Sequence, residues 1–127
     1  MPQGTCVMRL QNSTSNNVLL TFVNSHVNHC VFNNAPPATV ASGATSNNFQ
    51  LTYNFDPAGK PPATQADFDF SYSTPGEPTN YTASGIIDVD HNGQTVCNLV
   101  GAAPGHHTLT GQVGGAAPNF TVLFTFN

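Results

Sequence analysis

The feature that most constrains the fold is an alternation of apolar and polar residues with a period of two. In the segment 49–55, the residues Phe, Leu, Tyr and Phe alternate with Gln, Thr and Asn, and segments 68–72 and 120–126 have the same pattern. A period of two places every second side chain on the same face of a β-strand. Each segment is therefore predicted to be a half-buried strand that lines one face of a sheet.

Shorter alternating segments extend this pattern over the chain. They are residues 5–10, 18–23, 27–32, 81–89, 94–100 and 108–113. Turn residues such as Pro36-Pro37 separate them, and no stretch has the 3.6-residue apolar period of a helix. We therefore expect one domain over residues 1–127, an all-β, two-sheet antiparallel β-sandwich of about eight or nine strands with little or no helix.

Charged residues are scarce in this chain. They make up 6% of it, against about 25% in a typical soluble domain. Two basic residues, Arg9 and Lys60, oppose six acidic ones, and the net charge is −4. Affinity for nucleic acid scales with the number of phosphates that basic side chains neutralise, so we expect no nucleic-acid partner. No apolar run approaches the roughly 18 residues of a membrane span, so we expect a soluble protein without a transmembrane segment.

The N-terminal residues MPQGTCVMRL lack the charged and apolar regions of a signal peptide. We therefore expect an extracellular protein or one exported without a visible signal, and a cytoplasmic location stays open. Three sequons, at Asn12, Asn80 and Asn119, would accept N-glycans in a secretory compartment.

The three cysteines, Cys6, Cys30 and Cys97, form no Cys-X-X-Cys motif, which argues against a zinc ribbon or a dense disulfide framework. Cys6 and Cys97 lie in apolar strand segments, and Cys30 lies in a less regular one. If one disulfide forms, we expect Cys6 or Cys97 to pair with Cys30 and to leave one buried thiol.

Enzyme signatures are missing from the sequence. It contains no GxSxG, HExxH, phosphate-loop or dinucleotide motif. Carboxylates for acid–base catalysis could come from three places: Asp67 with Asp69, Asp88 with Asp90, or Glu77. Residues two apart on a strand share a face at roughly 7 Å, but opposite an apolar core face such carboxylates are typically solvated. We therefore expect a protein that is not an enzyme and has no catalytic residues.

One motif has a metal-binding interpretation. Residues 88–93 read DVDHNG, the first half of a calcium loop, with Asp88, Asp90 and Asn92 as candidate ligands. Leu99 stands where the bidentate Glu would be. The alternative is a β-hairpin with a tight Asn-Gly turn, which explains the glycine and the apolar segments on both sides. We favour the hairpin, expect no cofactor, and keep calcium as the weaker alternative.

The histidines do not form a recognisable metal motif. His26 and His29 are three residues apart, so a period of two places them on opposite faces, with Cys30 on the side of His26. The adjacent side chains of His106 and His107 diverge after a turn. No particular metal is favoured.

The first three quarters of the chain resemble a known family. The opening strand is followed by Asn12-Ser13-Thr14, then by PPATVASG at 36–43, and then by aromatic strands at 49–55 and 67–72. This order of strands and turns is similar to that of aegerolysin-type proteins, as are the length and the acidic balance. The resemblance implies a compact β-sandwich, of fungal or bacterial type, that recognises membrane lipids, notably sphingolipids, and in some members recruits a larger pore-forming partner. The chain departs from the family in having no Trp, so no lipid-contact residue is carried over.

Two classes of function follow. The first is a small recognition protein of toxin or defence type, which binds a neutral or zwitterionic ligand such as a membrane lipid headgroup or, as a lectin, a glycan. The second is a non-enzymatic structural or storage protein, or one that contacts a protein receptor.

The candidate binding residues are Tyr53, Tyr72, Tyr81, His91 and Asn92. We expect the contact surface on loops that a rigid sandwich carries, at residues 33–46, 74–81 and 91–93. A lipid binder should expose a cluster of aromatic side chains, whereas a lectin should place one aromatic beside Asn and Asp. Each tyrosine also has a simpler interpretation as a core or rim residue.

Overall fold

The described residues form ten β-strands and no helix. The computed structural model describes residues 3–15, 17–54, 64–73, 76, 80–89, 95–100, 107–116 and 118–127, with the backbone alone for 54, 95–100 and 116. The strands are β1 (Gln3–Asn12), β2 (Leu20–Asn28), β3 (Cys30–Asn34), β4 (Thr39–Val40), β5 (Phe49–Asn54), β6 (Thr64–Ser73), β7 (Asn80–Val89), β8 (Thr95–Val100), β9 (Leu109–Ala116) and β10 (Asn119–Phe126).

The strands form two five-stranded sheets. Sheet 1 has the order β3-β5-β1-β10-β9, and sheet 2 has the order β4-β2-β6-β7-β8. The predicted all-β, two-sheet sandwich is confirmed, and the two-residue β4 brings the count of strands above the expected eight or nine. One pair departs from the antiparallel expectation, because the first and last strands, β1 and β10, run parallel in the middle of sheet 1.

The candidate strand 27–32 is divided by His29, which has a left-handed φ of 58°. Residues before it belong to β2 in sheet 2, and residues after it belong to β3 in sheet 1. A left-handed residue reverses the local direction of the backbone, which a regular strand cannot do. His29 therefore carries the chain from one sheet to the other, and the prediction of one strand over 27–32 is wrong.

Phe68 of β6 lies at the centre of the core between the sheets. Its ring meets those of Phe49, Phe70 and Phe124 edge to face, with centroids 5.6, 5.9 and 5.0 Å away, a favourable aromatic geometry. Gly85 of β7 makes room for it, because a Cβ there would lie 2.5 Å from Phe68 Cζ. The alternation in the sequence thus fills the core with interlocking aromatic rings.

We call the end of the sandwich where Asn12 pairs with Phe126 the upper end. There Asn12 is fully buried, and its Nδ2 donates to the carbonyl oxygens of Val18 at 2.8 Å and Val40 at 3.0 Å. Its Oδ1 accepts from the backbone N–H and the hydroxyl of Thr14. The Thr14 hydroxyl also contacts the Ser42 hydroxyl at 2.7 Å. The turn residues on which the family resemblance rests therefore join one hydrogen-bond network. This network connects the loop after β1 with the loop after β4.

This network also determines whether the sequon at Asn12 is accessible for N-glycosylation. The Asn12 amide nitrogen is buried and makes two hydrogen bonds, so the folded chain does not present it to a glycosyltransferase. Asn80 and Asn119 are exposed. N-glycosylation at those two positions stays a prediction.

Cys6 and Cys30 are thiols rather than the halves of a disulfide. Strand β5 lies between β1 and β3, and the two cysteines are also two residues out of register, since Cys6 is opposite Leu51 and Cys30 is opposite Tyr53. Two strand spacings of roughly 4.8 Å and a two-residue offset of roughly 7 Å separate them by about 12 Å, beyond the ~7 Å between Cα atoms that a disulfide spans. Burial raises the pKa of the Cys30 thiol, against a smaller opposing effect of a backbone hydrogen bond from Asn28. The expected bridge to Cys30 is therefore absent, and the side chain of Cys97 lies outside the described residues.

Candidate functional site

The predicted binding residues lie at opposite ends of the sandwich. Tyr72 and Tyr81 pair across β6 and β7 at the upper end, where Tyr72 meets the ring of Phe126. Tyr53 lies at the lower end, paired with Gly4 at the start of β1 and with Cys30 at the start of β3. The five candidates therefore do not form one site.

Two of the loops predicted to make contact with a ligand contain described residues at the upper end. Residues 33–46 contain β4, which pairs with the start of β2 there, and within 74–81 Asn80 begins β7 opposite Ser73. The strands that flank 91–93 meet at the lower end, where Val89 pairs with both Thr95 and Thr64. His91 and Asn92 lie outside the described residues.

Tyr53 is a core residue. Its ring is buried in the main cluster, and its hydroxyl donates to the carbonyl oxygen of Pro118 at 2.7 Å. Burial raises the pKa of Tyr53 to about 12, with a smaller contribution from Cys6. Its ring offers no surface to a ligand.

We expect Tyr53 to make the fold sensitive to alkali. The unfolded chain releases this proton near pH 10, and the folded chain releases it near pH 12. The stability due to Tyr53 is therefore fully present below pH 10 and is lost as the pH rises towards about 12. Denaturant unfolding across this window should give a smaller loss of stability for Tyr53→Phe than for the natural chain. Equal losses would contradict the assignment.

Four rings form a cluster at the upper end, which we call the aromatic cluster. It contains Tyr72, Tyr81, His107 and Phe126. His107 stacks on Phe126 with centroids 5.0 Å apart and an angle of 18°, and it meets Tyr72 edge to face at 5.4 Å. Tyr72 also contacts Phe126 at 4.8 Å and Tyr81 at 5.8 Å. The cluster links both sheets at their upper edges.

Within this cluster, Tyr81 is the ring that reaches solvent. Tyr72, His107 and Phe126 are buried, whereas Tyr81 is only partly buried against the core. The Nδ1 atom of His107 lies 3.0 Å from the backbone oxygen of Asn127, which fixes the imidazole in the stack. A half-exposed tyrosine held by buried rings is a rigid platform, and the face of such a ring attracts a quaternary ammonium group.

Two members of the aromatic cluster were not predicted. The sequence predicts His107 just after a turn and Phe126 in a core strand. They are 19 positions apart in the sequence and meet because β9 and β10 are antiparallel, with Leu109 opposite Phe126. No local pattern in the sequence predicts which residues of β9 and β10 lie opposite each other.

The DVDHNG motif lies between two strands that pair as a hairpin requires. Val89 at the end of β7 is opposite Thr95 at the start of β8, and the pair is antiparallel. Asp88 faces outward on β7, whereas Asp90, His91, Asn92 and Gly93 lie outside the described residues. Within the described ranges, no three His, Cys, Asp or Glu side chains come together as metal ligands. Calcium binding therefore stays a prediction.

The carboxylates of β6 have separate partners. Asp67 lies 2.9 Å from Nδ1 of the exposed His26, and Asp69 accepts a hydrogen bond from the hydroxyl of Ser84. Both point to the outer face of sheet 2, as expected for strand positions opposite an aromatic face. Glu77 lies outside the described residues.

The exposed apolar surface of the described residues is aliphatic. Its large members are Leu19, Val23, Val27, Val31 and Val113. Val23 and Val31, 60% and 59% exposed, lie on β2 and β3. The edge of β2 is open beyond Thr21, where its pairing with β4 ends, and β3 is the end strand of sheet 1. None of the described Phe and Tyr rings is fully exposed, and three of them, Phe22, Phe32 and Tyr81, are partly exposed on three different strands. The cluster of exposed aromatics expected for a lipid binder is thus reduced, in the described part of the chain, to these three partly exposed rings.

No helix among the described residues is long and apolar enough to cross a bilayer.

Comparison with known proteins gives a match in fold alone. No family model matches the chain, and no curated protein matches its sequence. Among solved structures, the chain is similar to the crystal structure of the lipid binding protein Nakanori, with a TM-score of 0.67 and 10% sequence identity. The match covers 98% of this chain and 71% of the other. Membership of the aegerolysin family stays a prediction, and the chain shares its β-sandwich fold with a lipid-binding protein.

Proposed function

We propose that the chain is a small recognition protein of toxin or defence type that binds the zwitterionic headgroup of a membrane lipid. The headgroup docks at the upper end of the sandwich, with its quaternary ammonium against the ring of Tyr81. The observation that carries this proposal is the aromatic cluster, in which the partly exposed Tyr81 packs on the buried Tyr72, and His107 and Phe126 in turn pack on Tyr72. The fold shared with a lipid-binding protein supports it.

The chemistry of the chain fits a neutral or zwitterionic ligand. Arg9 and Lys60 are its two basic residues, so attraction to an anionic membrane surface is weak. A cation–π contact depends on the ring face and is favoured by desolvation, whereas screening by salt acts mainly on exposed charges. We therefore propose that binding needs neither calcium nor high positive charge and involves no covalent step. Contact with an outer leaflet further implies an extracellular site of action.

We expect Tyr81→Ala to weaken binding to phosphatidylcholine vesicles by about tenfold, because a desolvated cation–π contact contributes ~1–2 kcal/mol. Tyr81→Phe should bind nearly as well as the natural chain, because it keeps the ring. Vesicle co-sedimentation at low and high salt, with and without calcium, measures these affinities. Binding should persist at high salt.

Val31→Ala is the matched control, because it removes exposed apolar surface at the lower end of the sandwich. An equal loss for Val31→Ala and Tyr81→Ala would indicate general apolar adsorption and overturn the assignment. Replacing phosphatidylcholine with phosphatidylethanolamine tests the headgroup itself. A primary ammonium is smaller and more strongly hydrated, so we expect weaker binding.

Binding experiments of this kind also distinguish the other functions that we inferred from the sequence. Binding to a glycan array but not to vesicles would favour a lectin that uses Tyr81 beside the exposed Asn80. Binding to neither would favour a structural or storage protein, or one that contacts a protein receptor.

A further inference from the structure

The outer faces of the two sheets differ in charge. Every described carboxylate lies on sheet 2, where Asp67 and Asp69 are on β6 and Asp88 is on β7. Arg9 is on β1, in the middle of sheet 1. Among the described residues, no carboxylate lies within salt-bridge distance of its guanidinium. Among the described charged side chains, Arg9 is therefore separated from the aspartates of sheet 2 and is exposed on the outer face of sheet 1.

Arg9 lies in a groove on the outer face of sheet 1. The groove has a volume of about 490 Å³ and crosses β1, β10 and β9. Arg9 is opposite Leu123, and Leu123 is opposite Gln112, which places these three side chains in one row. The next row contains Val7, Thr121 and Gly114. These six residues line the groove with Asn48 at its edge.

Gly114 keeps this groove open. A Cβ at this position would lie 2.9 Å from the Thr121 hydroxyl oxygen, so a larger side chain would crowd that hydroxyl. The backbone φ of Gly114 is not in the left-handed region. The glycine therefore matters here for space rather than for backbone conformation.

The lining combines one cation with neutral donors and an apolar floor. A guanidinium donates two parallel hydrogen bonds to an oxyanion. Gln112, Asn48 and Thr121 carry uncharged donors, and Val7 and Leu123 supply apolar contact. Arg9, Thr121 and Gln112 place donors of three neighbouring strands along one groove, and a phosphate monoester offers them three acceptor oxygens where a carboxylate offers two. No carboxylate lines the groove to repel it.

We propose that this groove binds a phosphate monoester attached to an apolar group, with Arg9 on the phosphate and the apolar part over Val7 and Leu123. One arginine does not hold a polyanion, but it pairs with a single phosphate when neutral donors complete the coordination. The site goes beyond headgroup recognition, because it lies on the outer face of sheet 1, whereas the aromatic cluster lies at the upper end. The phosphate can come from a soluble monoester or from a lipid such as phosphatidic acid.

Titration of the full chain with phenyl phosphate, followed by calorimetry and by backbone amide NMR, tests the proposal. Arg9→Gln should weaken binding by about tenfold or more, and Arg9→Lys should weaken it less. Gly114→Ala should also weaken binding, although it leaves the charge unchanged. Amide shifts should be largest on β1, β9 and β10, and affinity should fall with added salt.

Lys60→Gln is the control, because it removes the same charge from the segment between β5 and β6. An equal loss for Lys60→Gln and Arg9→Gln would overturn the proposal, as would amide shifts confined to other strands. Vesicles that contain phosphatidic acid distinguish the two sources of phosphate. Arg9-dependent binding to phenyl phosphate supports a soluble ligand, and Arg9-dependent binding to the vesicles alone supports the lipid. Binding to neither probe overturns the site. Phenyl phosphate carries no quaternary ammonium, so failure here leaves the proposal for Tyr81 intact.

Discussion

Phe68→Ala should lower the free energy of unfolding by about 3–5 kcal/mol, the range for a phenylalanine removed from a well-packed core. Phe68 is fully buried and packs edge to face against three other phenylalanine rings, so its loss leaves a cavity bordered by Phe49, Phe70 and Phe124. Urea unfolding, followed by circular dichroism, measures the change. Phe22→Ala is the control. Because Phe22 is only partly buried, this variant should lower the free energy of unfolding clearly less than Phe68→Ala does.

A domain of this kind has a total stability of about 5–15 kcal/mol, so Phe68→Ala can fail to fold. Phe68→Leu then serves as the second variant, because it keeps most of the volume and should still unfold at a lower denaturant concentration than the natural chain. Equal losses for Phe68→Leu and Phe22→Leu would contradict the central place of Phe68 in the core.

Asn12→Ala should lower the free energy of unfolding by about 2–4 kcal/mol, because it leaves several buried polar groups without partners. The variant removes the donor to the carbonyl oxygens of Val18 and Val40 and the acceptor for Thr14. Asn80→Ala is the matched control, because Asn80 is exposed and its replacement should change stability by less than about 0.5 kcal/mol. A loss of similar size in both variants would contradict a structural role specific to Asn12.

Much of the fold could be predicted because the alternation of residues reports directly on the faces of strands. Along β6, the residues Phe68, Phe70 and Tyr72 all face the core, and Asp67 and Asp69 all face outward, as a period of two requires. Pro36-Pro37 lies between β3 and β4, as the turn signal predicts, whereas β9 continues to Ala116, beyond the predicted end at 113. The reversal at His29 was missed, because a single left-handed residue leaves no break in the apolar pattern.

The candidate sites could be predicted only in part, because they depend on which strands become neighbours. Tyr72 and Tyr81 were recognised as aromatic residues that could bind a ligand. The contact of Tyr72 with His107 and Phe126 needs the upper edges of both sheets to meet, and no short segment of sequence contains that information. The groove around Arg9 likewise depends on the parallel pairing of β1 with β10, two strands at opposite ends of the chain. The structural role of Asn12 could not be predicted for the same reason, because its partners Val18 and Val40 lie in different parts of the chain.

Intermolecular nuclear Overhauser effects between choline methyl protons and the protein show whether the headgroup binds at the aromatic cluster. The measurement uses the full chain bound to phosphatidylcholine nanodiscs with selectively labelled tyrosine rings and valine methyl groups. We expect contacts from the choline methyl groups to the ring of Tyr81, and none to the buried ring of Tyr53. Choline contacts confined to the open edge around Val27 and Val31, or no choline contact under conditions where the chain binds the nanodiscs, would contradict headgroup binding at the aromatic cluster.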